Sequence, residues 1–229
     1  MFAINHAATA LILKKKYDEV PIVWLLISVQ FMELFWVLFN FLGIEVTTTE
    51  NTVRYVGDIH LSYMPFSHSV LTMTVMAILA WFVISKLFKK PVIGIAVGIG
   101  IFSHLVLDLL THSGDIQIMP GLNAPKLGLG LYASLPALAF AFELLYGAFC
   151  WWFYKGSRWL LATILVFNLA NISMFITSIQ GPESLMAHQP DLITGVILIQ
   201  IVVTLLLVGF LSKGKNTDTS VAEGLEMSS

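Results

Sequence analysis

Six long runs of apolar residues constrain the fold of this chain more than any other feature of its sequence. A hydrocarbon core of about 30 Å takes about 20 helical residues to cross, and the runs have close to that length. They cover residues 21–43, 67–87, 91–110, 132–154, 159–180 and 191–211. Because the bilayer offers no water to backbone groups, each run should be a helix, and none has the period of two that a barrel strand shows. The sequence therefore predicts an all-α, polytopic membrane helix bundle with about six transmembrane helices.

Composition agrees with this class and excludes others. Hydrophobic residues make up 57% of the chain and charged residues 11%, whereas soluble domains carry roughly 25% charged residues. The net charge of -2 argues against a nucleic-acid partner, because phosphate binding needs a concentrated basic face. Membrane lipids are the expected surroundings. The single cysteine, Cys150, allows no intrachain disulfide and is interpreted as a small apolar filler.

Basic residues predict the orientation of the bundle. Ten of the twelve Lys and Arg residues flank the apolar runs on one side: Lys14, Lys15, Lys16, Lys86, Lys89, Lys90, Lys155, Arg158, Lys213 and Lys215. Arg54 and Lys126 fall on the other side. The positive-inside rule then predicts a multi-pass membrane protein with both termini cytoplasmic.

The two ends of the chain differ from the rest. Residues 2–13 are apolar but too short to span, and lysines follow them, the reverse of a cleavable signal peptide. This segment is either a short half-helix that enters the membrane or an amphipathic helix in the interface. Residues 1–212 are predicted to form a single transmembrane domain. Residues 213–229 are polar and lack aromatics, which predicts a disordered cytoplasmic tail.

Two long loops should lie on the outer side. Residues 44–66 are polar and rich in threonine, and residues 111–131 are rich in glycine and proline. Glycine and proline at that density specify turns, and such loops often cover or complete a site. No internal repeat is evident, so a transporter built from inverted halves gets no support.

Several ionisable residues fall inside or at the ends of the apolar runs, where they cost a few kcal/mol each. Glu33 lies near the middle of the first run. His104 and Asp108 are four residues apart on the third, so their side chains share one helix face. His68 opens the second run and His112 ends the third. A rise of 1.5 Å per residue puts Glu33, His104 and Asp108 roughly 18–26 Å from the cytoplasmic boundary, so one layer in the outer half could hold all five side chains.

Other polar residues have plainer interpretations. His112 and Asp115 lie near the outer boundary and are interpreted first as loop residues. Glu143, in the fourth run, is expected either to line the site or to anchor the glycine-rich loop. Asn168 and Asn171 are one turn apart on the fifth run and are more typical of contacts between helices than of ligands.

Imidazole and carboxylate groups together form the usual ligand set for zinc, manganese or iron. An ion would compensate buried negative charge, and it would activate water without a serine or cysteine nucleophile. Two structural alternatives stay open. His104 and Asp108 could form a hydrogen-bonded pair inside the bundle, and Glu33 could be a protonated acid bonded to Gln30.

The sequence also resembles a known family at several stretches. The signatures of the YdjM-like membrane-bound metal-dependent hydrolases, a bacterial inner-membrane family, are similar in order and rough spacing to Asn5-His6, Pro65-Phe66-Ser67-His68-Ser69 and Ser103-His104-Leu105-Val106-Leu107-Asp108. A subset of that family also shows the stretches that begin here at Gln30, Thr111, Met119 and Gly128. The resemblance covers roughly residues 1–150.

The resemblance implies a metal site formed by His6, Glu33, His68, His104 and Asp108, and hydrolase activity. The broader family carries the motif Leu-Pro-Asp-x-Asp-His in its first span. Only Glu33 matches that motif here, at its first acidic position. The missing second carboxylate and histidine argue against a two-metal centre.

Together these features predict a metal-dependent hydrolase that acts on a lipid or lipid-linked substrate. The cofactor would be a divalent metal ion, with zinc as a candidate. His6, His68, His104 and Asp108 are the expected ligands, and Glu33 and Asp108 are the expected catalytic residues. Two alternatives remain, a small proton- or ion-coupled transporter or channel and a noncatalytic membrane scaffold.

Overall fold

The computed structural model describes residues 1–121, 123–179 and 181–213. Over these residues the chain forms eight α-helices and two short antiparallel strand pairs. The helices are α1 (Ala3–Lys16), α2 (Ile22–Phe41), α3 (Val70–Phe82), α4 (Pro91–Thr111), α5 (Leu131–Ser134), α6 (Pro136–Tyr154), α7 (Arg158–Ala170) and α8 (Pro190–Leu211). The strands are β1 (Val46–Thr49), β2 (Ile59–Tyr63), β3 (Ile116–Gln117) and β4 (Lys126–Leu127). Apart from Lys213, the predicted disordered tail lies outside the described residues.

Five helices are long and apolar enough to cross a membrane: α2, α3 with the π-helical turn Val83–Leu87 that continues it, α4, α6 and α8. The prediction of an all-α membrane helix bundle is therefore confirmed. The fifth predicted span, 159–180, differs in detail, because α7 has only 13 residues and a 3-10 turn, Ile172–Met174, follows it. The Asn171 side chain donates to the carbonyl of Phe167 at 2.7 Å, and such side-chain bonds compete with the helical backbone pattern.

Helix α1 lies inside the bundle rather than on its surface. Ten of its fourteen residues are buried, and it packs against α2, α4, α6, α7 and α8. Close approach of α6 depends on Gly147, because a Cβ there would lie 2.6 Å from Oδ1 of Asn5. Of the two interpretations of this segment, the structure agrees with the short helix that enters the bundle and not with an interfacial helix.

The two ends of the bundle are different in character. At one end, which we call the lysine end, α1 finishes at Lys16, α4 begins next to Lys90, Lys155 follows α6, and Arg158 begins α7. At the opposite, hairpin end lie the pairs β1–β2 and β3–β4. The loop before α3 is tied to the loop after α4, because the amide of Gln117 donates to the carbonyl of His68 at 3.2 Å. These loops carry side chains of the candidate site.

Candidate metal centre

Four ligand atoms from two helices and one loop converge near the hairpin end. Nε2 of His104 lies 3.0 Å from Oδ2 of Asp108, one turn further along α4. Nε2 of His68, just before α3, lies 3.5 Å from the same oxygen. Oε2 of Glu33, on α2, lies 3.5 Å from Nε2 of His104 and 3.6 Å from Nε2 of His68. The structure thus gathers two imidazole nitrogens and two carboxylate oxygens around one point.

These separations fit a single small cation. Ligand atoms that bind zinc at 2.0–2.1 Å in tetrahedral geometry lie about 3.3 Å from each other. The four distances between nitrogen and oxygen atoms, 3.0–3.6 Å, bracket that value. Two further groups of potential ligands overlap with this one, His6 with His104 and Asp108, and His68 with Asp108 and His112.

Hydrogen bonding leaves a lone pair of His104 directed into the cluster. Nδ1 of His104 lies 3.1 Å from the carbonyl oxygen of Val29, and a carbonyl can only accept, so this nitrogen carries the proton. Nε2 of His104 and Oδ2 of Asp108 are buried yet lack a hydrogen bond with acceptable geometry to any described residue. Buried polar atoms are rarely left without partners, and a cation between these two atoms would satisfy both.

The second oxygen of Asp108 faces a different set of groups. Its Oδ1 lies 3.2 Å from Nε2 of His6 and 2.7 Å from the amino nitrogen of Met1. The imidazole of His6 stacks on that of His104, with ring centroids 4.0 Å apart, and neither of its nitrogens has a hydrogen-bond partner among the described residues. His6 therefore borders the four-atom cluster on its buried side. All five residues that the sequence singled out are brought together.

Two residues that the sequence analysis interprets first as loop residues lie at the rim of the cluster. Nε2 of His112 lies 3.8 Å from Oδ1 of Asp108, and Nδ1 of His112 lies 3.7 Å from Oδ1 of Asp115. His112 is the first residue after α4 and shares the face of Asp108 at a spacing of four. That spacing repeats the one between His104 and Asp108, so the sequence alone indicates that His112 lies on the same helix face.

A polar network holds α1 against the site. Glu143 of α6 accepts hydrogen bonds from the side chains of Asn5 and Tyr132 and, at 3.2 Å, from the amide of Phe2. Asn5 also donates to Oδ1 of Asn168 at 2.9 Å. Glu143 therefore anchors α1, next to His6, as well as Tyr132 after the glycine-rich loop. The side-chain amide of Gln30 donates to the carbonyl of Ala3 at 2.6 Å. It is therefore not directed to Glu33, as the alternative of a protonated Glu33 bonded to Gln30 would require.

A pocket opens on one side of the cluster. Its empty volume is about 1020 Å³, including the part open to the surroundings. The titratable side chains that line it are Glu33, His68, His112, Asp115 and Tyr132. Met1 lines it as well, and no Lys or Arg within the described residues does. Most of the remaining wall is apolar and includes Phe2, Trp36, Val56, Ile59, Leu61, Met174, Met186, Ile193, Val196 and Ile197. The cluster therefore faces a largely apolar space.

Comparison with known proteins gives one family match. The family model of the YdjM inner membrane proteins matches residues 48–181, which is more than half of the chain. His68, His104 and Asp108 lie within the matched residues, whereas His6 and Glu33 precede them. Searches of curated proteins and of solved structures found no match. Together with the apolar helices, the family match confirms an inner membrane protein, and the chain belongs to the YdjM family.

Proposed function

We propose that this protein is a metal-dependent hydrolase of the inner membrane that acts on a lipid or lipid-linked substrate. The observation that carries the proposal is the buried convergence of His68 and His104 on Oδ2 of Asp108, at 3.5 and 3.0 Å, with atoms of His104 and Asp108 that lack hydrogen-bond partners among the described residues. These three residues would hold one divalent ion, for which zinc is the first candidate. Three protein ligands and one open position are typical of catalytic rather than structural zinc sites.

Glu33 is suited to handle the proton. Its side chain is 16% exposed and lines the pocket, whereas that of Asp108 is 1% exposed and lies behind it. A bound divalent ion would polarise the scissile group and make a neighbouring water more acidic. Glu33 would accept the proton of that water as it attacks and pass it to the leaving group. His6, behind Asp108, would keep the carboxylate in place through its Oδ1.

The pocket supports a lipid as the substrate. Ligand pockets are mostly apolar with a few polar groups where the chemistry occurs, and here the apolar walls meet Glu33 and His68 at the cluster. An acyl or prenyl chain would lie along Trp36 and Ile197, with the bond to be cleaved next to Glu33. Residues such as Ile59, at the start of β2, would cover the substrate from the hairpin end.

Elemental analysis of the protein purified in detergent tests the proposal first. We expect a stoichiometric divalent transition metal that is lost in the His104→Ala variant. The matched control is His60→Ala, because His60 also contacts a carboxylate, Oε1 of Glu50 at 3.0 Å, but lies on the exposed β1–β2 pair. A protein without metal, or a metal content that both variants retain equally, would contradict the metal centre.

Activity is tested on lipids in mixed micelles, with release of fatty acid or phosphate as the readout. We expect hydrolysis that a chelator abolishes and that added metal restores. A transporter that relays protons through the same side chains needs no bound ion. Metal-free protein that still moves protons across vesicle membranes, without hydrolysis at any metal content, would favour the transporter.

A further inference from the structure

The second nitrogen of His68 is held by a buried pair of residues, Ser67 and Glu45. Nδ1 of His68 lies 2.8 Å from Oγ of Ser67. The same hydroxyl contacts Oε2 of Glu45, in the turn between α2 and β1. Oε1 of Glu45 accepts hydrogen bonds from the backbone amides of Phe66 and Ser67 at 2.9 and 2.8 Å. Glu45 is only 2% exposed, so these contacts are its main environment.

The direction of each hydrogen bond follows from the number of protons available. The hydroxyl of Ser67 has one proton, and an ionised carboxylate can only accept it. Having donated to Glu45, the hydroxyl can only accept from His68, so the proton of the neutral imidazole lies on Nδ1. Nε2 of His68 then keeps its lone pair, directed towards Glu33 and Asp108.

We propose that Glu45, acting through Ser67, is a positioning residue that fixes His68 in the tautomer whose Nε2 binds metal. We call the hydrogen-bonded chain from Glu45 through Ser67 to His68 the relay. That its tautomer serves metal binding rests on the proposed function, whereas the relay itself does not. His104 reaches the same tautomer through the carbonyl of Val29, which substitution of side chains cannot reverse. Outer partners of this kind orient metal-binding histidines generally. At His68 the outer partners are the hydroxyl of Ser67 and the carboxylate of Glu45, so a mutation can reverse the direction of their hydrogen bonds.

Glu45→Gln reverses the relay while keeping its shape. The two backbone amides require an acceptor, so the amide oxygen of the new glutamine stays at the position of Oε1. Its NH₂ group then faces Ser67 and donates to the hydroxyl. The hydroxyl must turn its own proton towards Nδ1 of His68, which moves the imidazole proton to Nε2 and blocks the lone pair. Ser67→Ala, by contrast, removes the relay without favouring either tautomer.

The experiment combines two readouts on protein in detergent at mildly alkaline pH. Nitrogen NMR of ¹⁵N-histidine-labelled, metal-free protein reports the tautomer of His68, with the signal assigned by its absence in His68→Ala. Competition titration reports the affinity for zinc. We expect the Nδ1–H form in the wild type, the Nε2–H form in Glu45→Gln and a mixture in Ser67→Ala. Zinc affinity should fall about 10- to 100-fold in Ser67→Ala and further in Glu45→Gln.

A double variant and a matched control separate the relay from general damage. Glu45→Gln combined with Ser67→Ala should bind zinc as Ser67→Ala does, because the reversed hydroxyl is gone. Glu50→Gln, which alters the exposed carboxylate beside His60, should change neither readout. An unchanged His68 tautomer in Glu45→Gln overturns the relay, even if zinc still binds. A tautomer that reverses as expected in a protein without zinc affinity supports the relay and refutes the metal centre.

Discussion

Substitution of Glu33 by glutamine separates a catalytic metal site from a closed structural one. Oε2 of Glu33 lies 3.5 Å from Nε2 of His104 and 3.6 Å from Nε2 of His68. When no ion is bound and both imidazoles are neutral, a carboxylate oxygen there faces two lone pairs and can donate to neither. A glutamine amide at the same position would donate to one of them. We therefore expect Glu33→Gln to stabilise the metal-free protein.

The expected sizes follow from these contacts. One net hydrogen bond contributes about 1 kcal/mol, which for a chain of this length corresponds to a rise in the unfolding midpoint of about 2–4 °C. In the wild type, zinc at about 100 times its dissociation constant should add about 2.7 kcal/mol, or roughly 5–11 °C. Glu33→Gln should keep most of that zinc response, because His68, His104 and Asp108 remain, yet lose hydrolysis.

Thermal unfolding in detergent, with chelator and with zinc, measures both effects, and His104→Ala serves as the variant that loses the response to zinc. Two results would refute the reasoning. A lower midpoint of metal-free Glu33→Gln would mean that the imidazoles donate to Glu33, as in a hydrogen-bonded ion pair. A zinc response as small as that of His104→Ala would mean that Glu33 is a necessary ligand and that the site has no open position.

Three further predictions concern other parts of the molecule. Gly147→Ala should lower the unfolding midpoint by the equivalent of about 1–3 kcal/mol, because the added Cβ would lie 2.6 Å from the buried side-chain oxygen of Asn5 on α1. The control Gly195→Ala lies in open space on α8 and should slightly raise the midpoint. Equal effects of the two substitutions would contradict the close packing at Gly147. His6→Ala should weaken zinc binding less than His68→Ala does in competition titrations, because His6 lies outside the four-atom cluster; the reverse order would relocate the ion. Burial raises the pKa of Glu45, so the stabilisation from its bound proton is complete below the ordinary glutamate pKa and is lost as pH rises through the raised value. The unfolding midpoint of the metal-free wild type should therefore fall over that pH window relative to the midpoint of Glu45→Gln. Parallel curves of midpoint against pH would argue against a raised pKa.

Much of the fold could be predicted because a membrane limits the alternatives. Long apolar runs have to be helices, and five of the six predicted runs correspond to helices of 18 residues or more. The end of α7 could not be read from hydropathy, because apolar residues such as Phe175 and Ile176 continue the run past the helix end at Ala170. The burial of α1 could not be read from hydropathy either. With fourteen residues the helix is too short to span the membrane, and only its packing against Gly147 and other partners explains where it lies.

The candidate site was predictable to the extent that its residues share a helix or a motif. The spacing of His104 and Asp108 places both on one face, and the cost of ionisable groups in lipid draws attention to Glu33. Glu45 escaped notice because it lies in a loop, where a carboxylate in the sequence looks solvated. Its burial and its contact with Ser67 result from the folding of two loops on each other, which no local pattern records.

The asymmetry of the cluster argues for turnover rather than for a structural ion. His6, His104 and Asp108 lie on α1 and α4 and are 0–1% exposed, so the ion would be enclosed on that side by the bundle. Glu33 and His68 form the other side and line the pocket. A structural site is closed by protein ligands on all sides, whereas this one meets a cavity at the carboxylate best placed to take a proton. The proposed substrate would approach the ion from that cavity, and the apolar walls would favour molecules that already reside in the membrane.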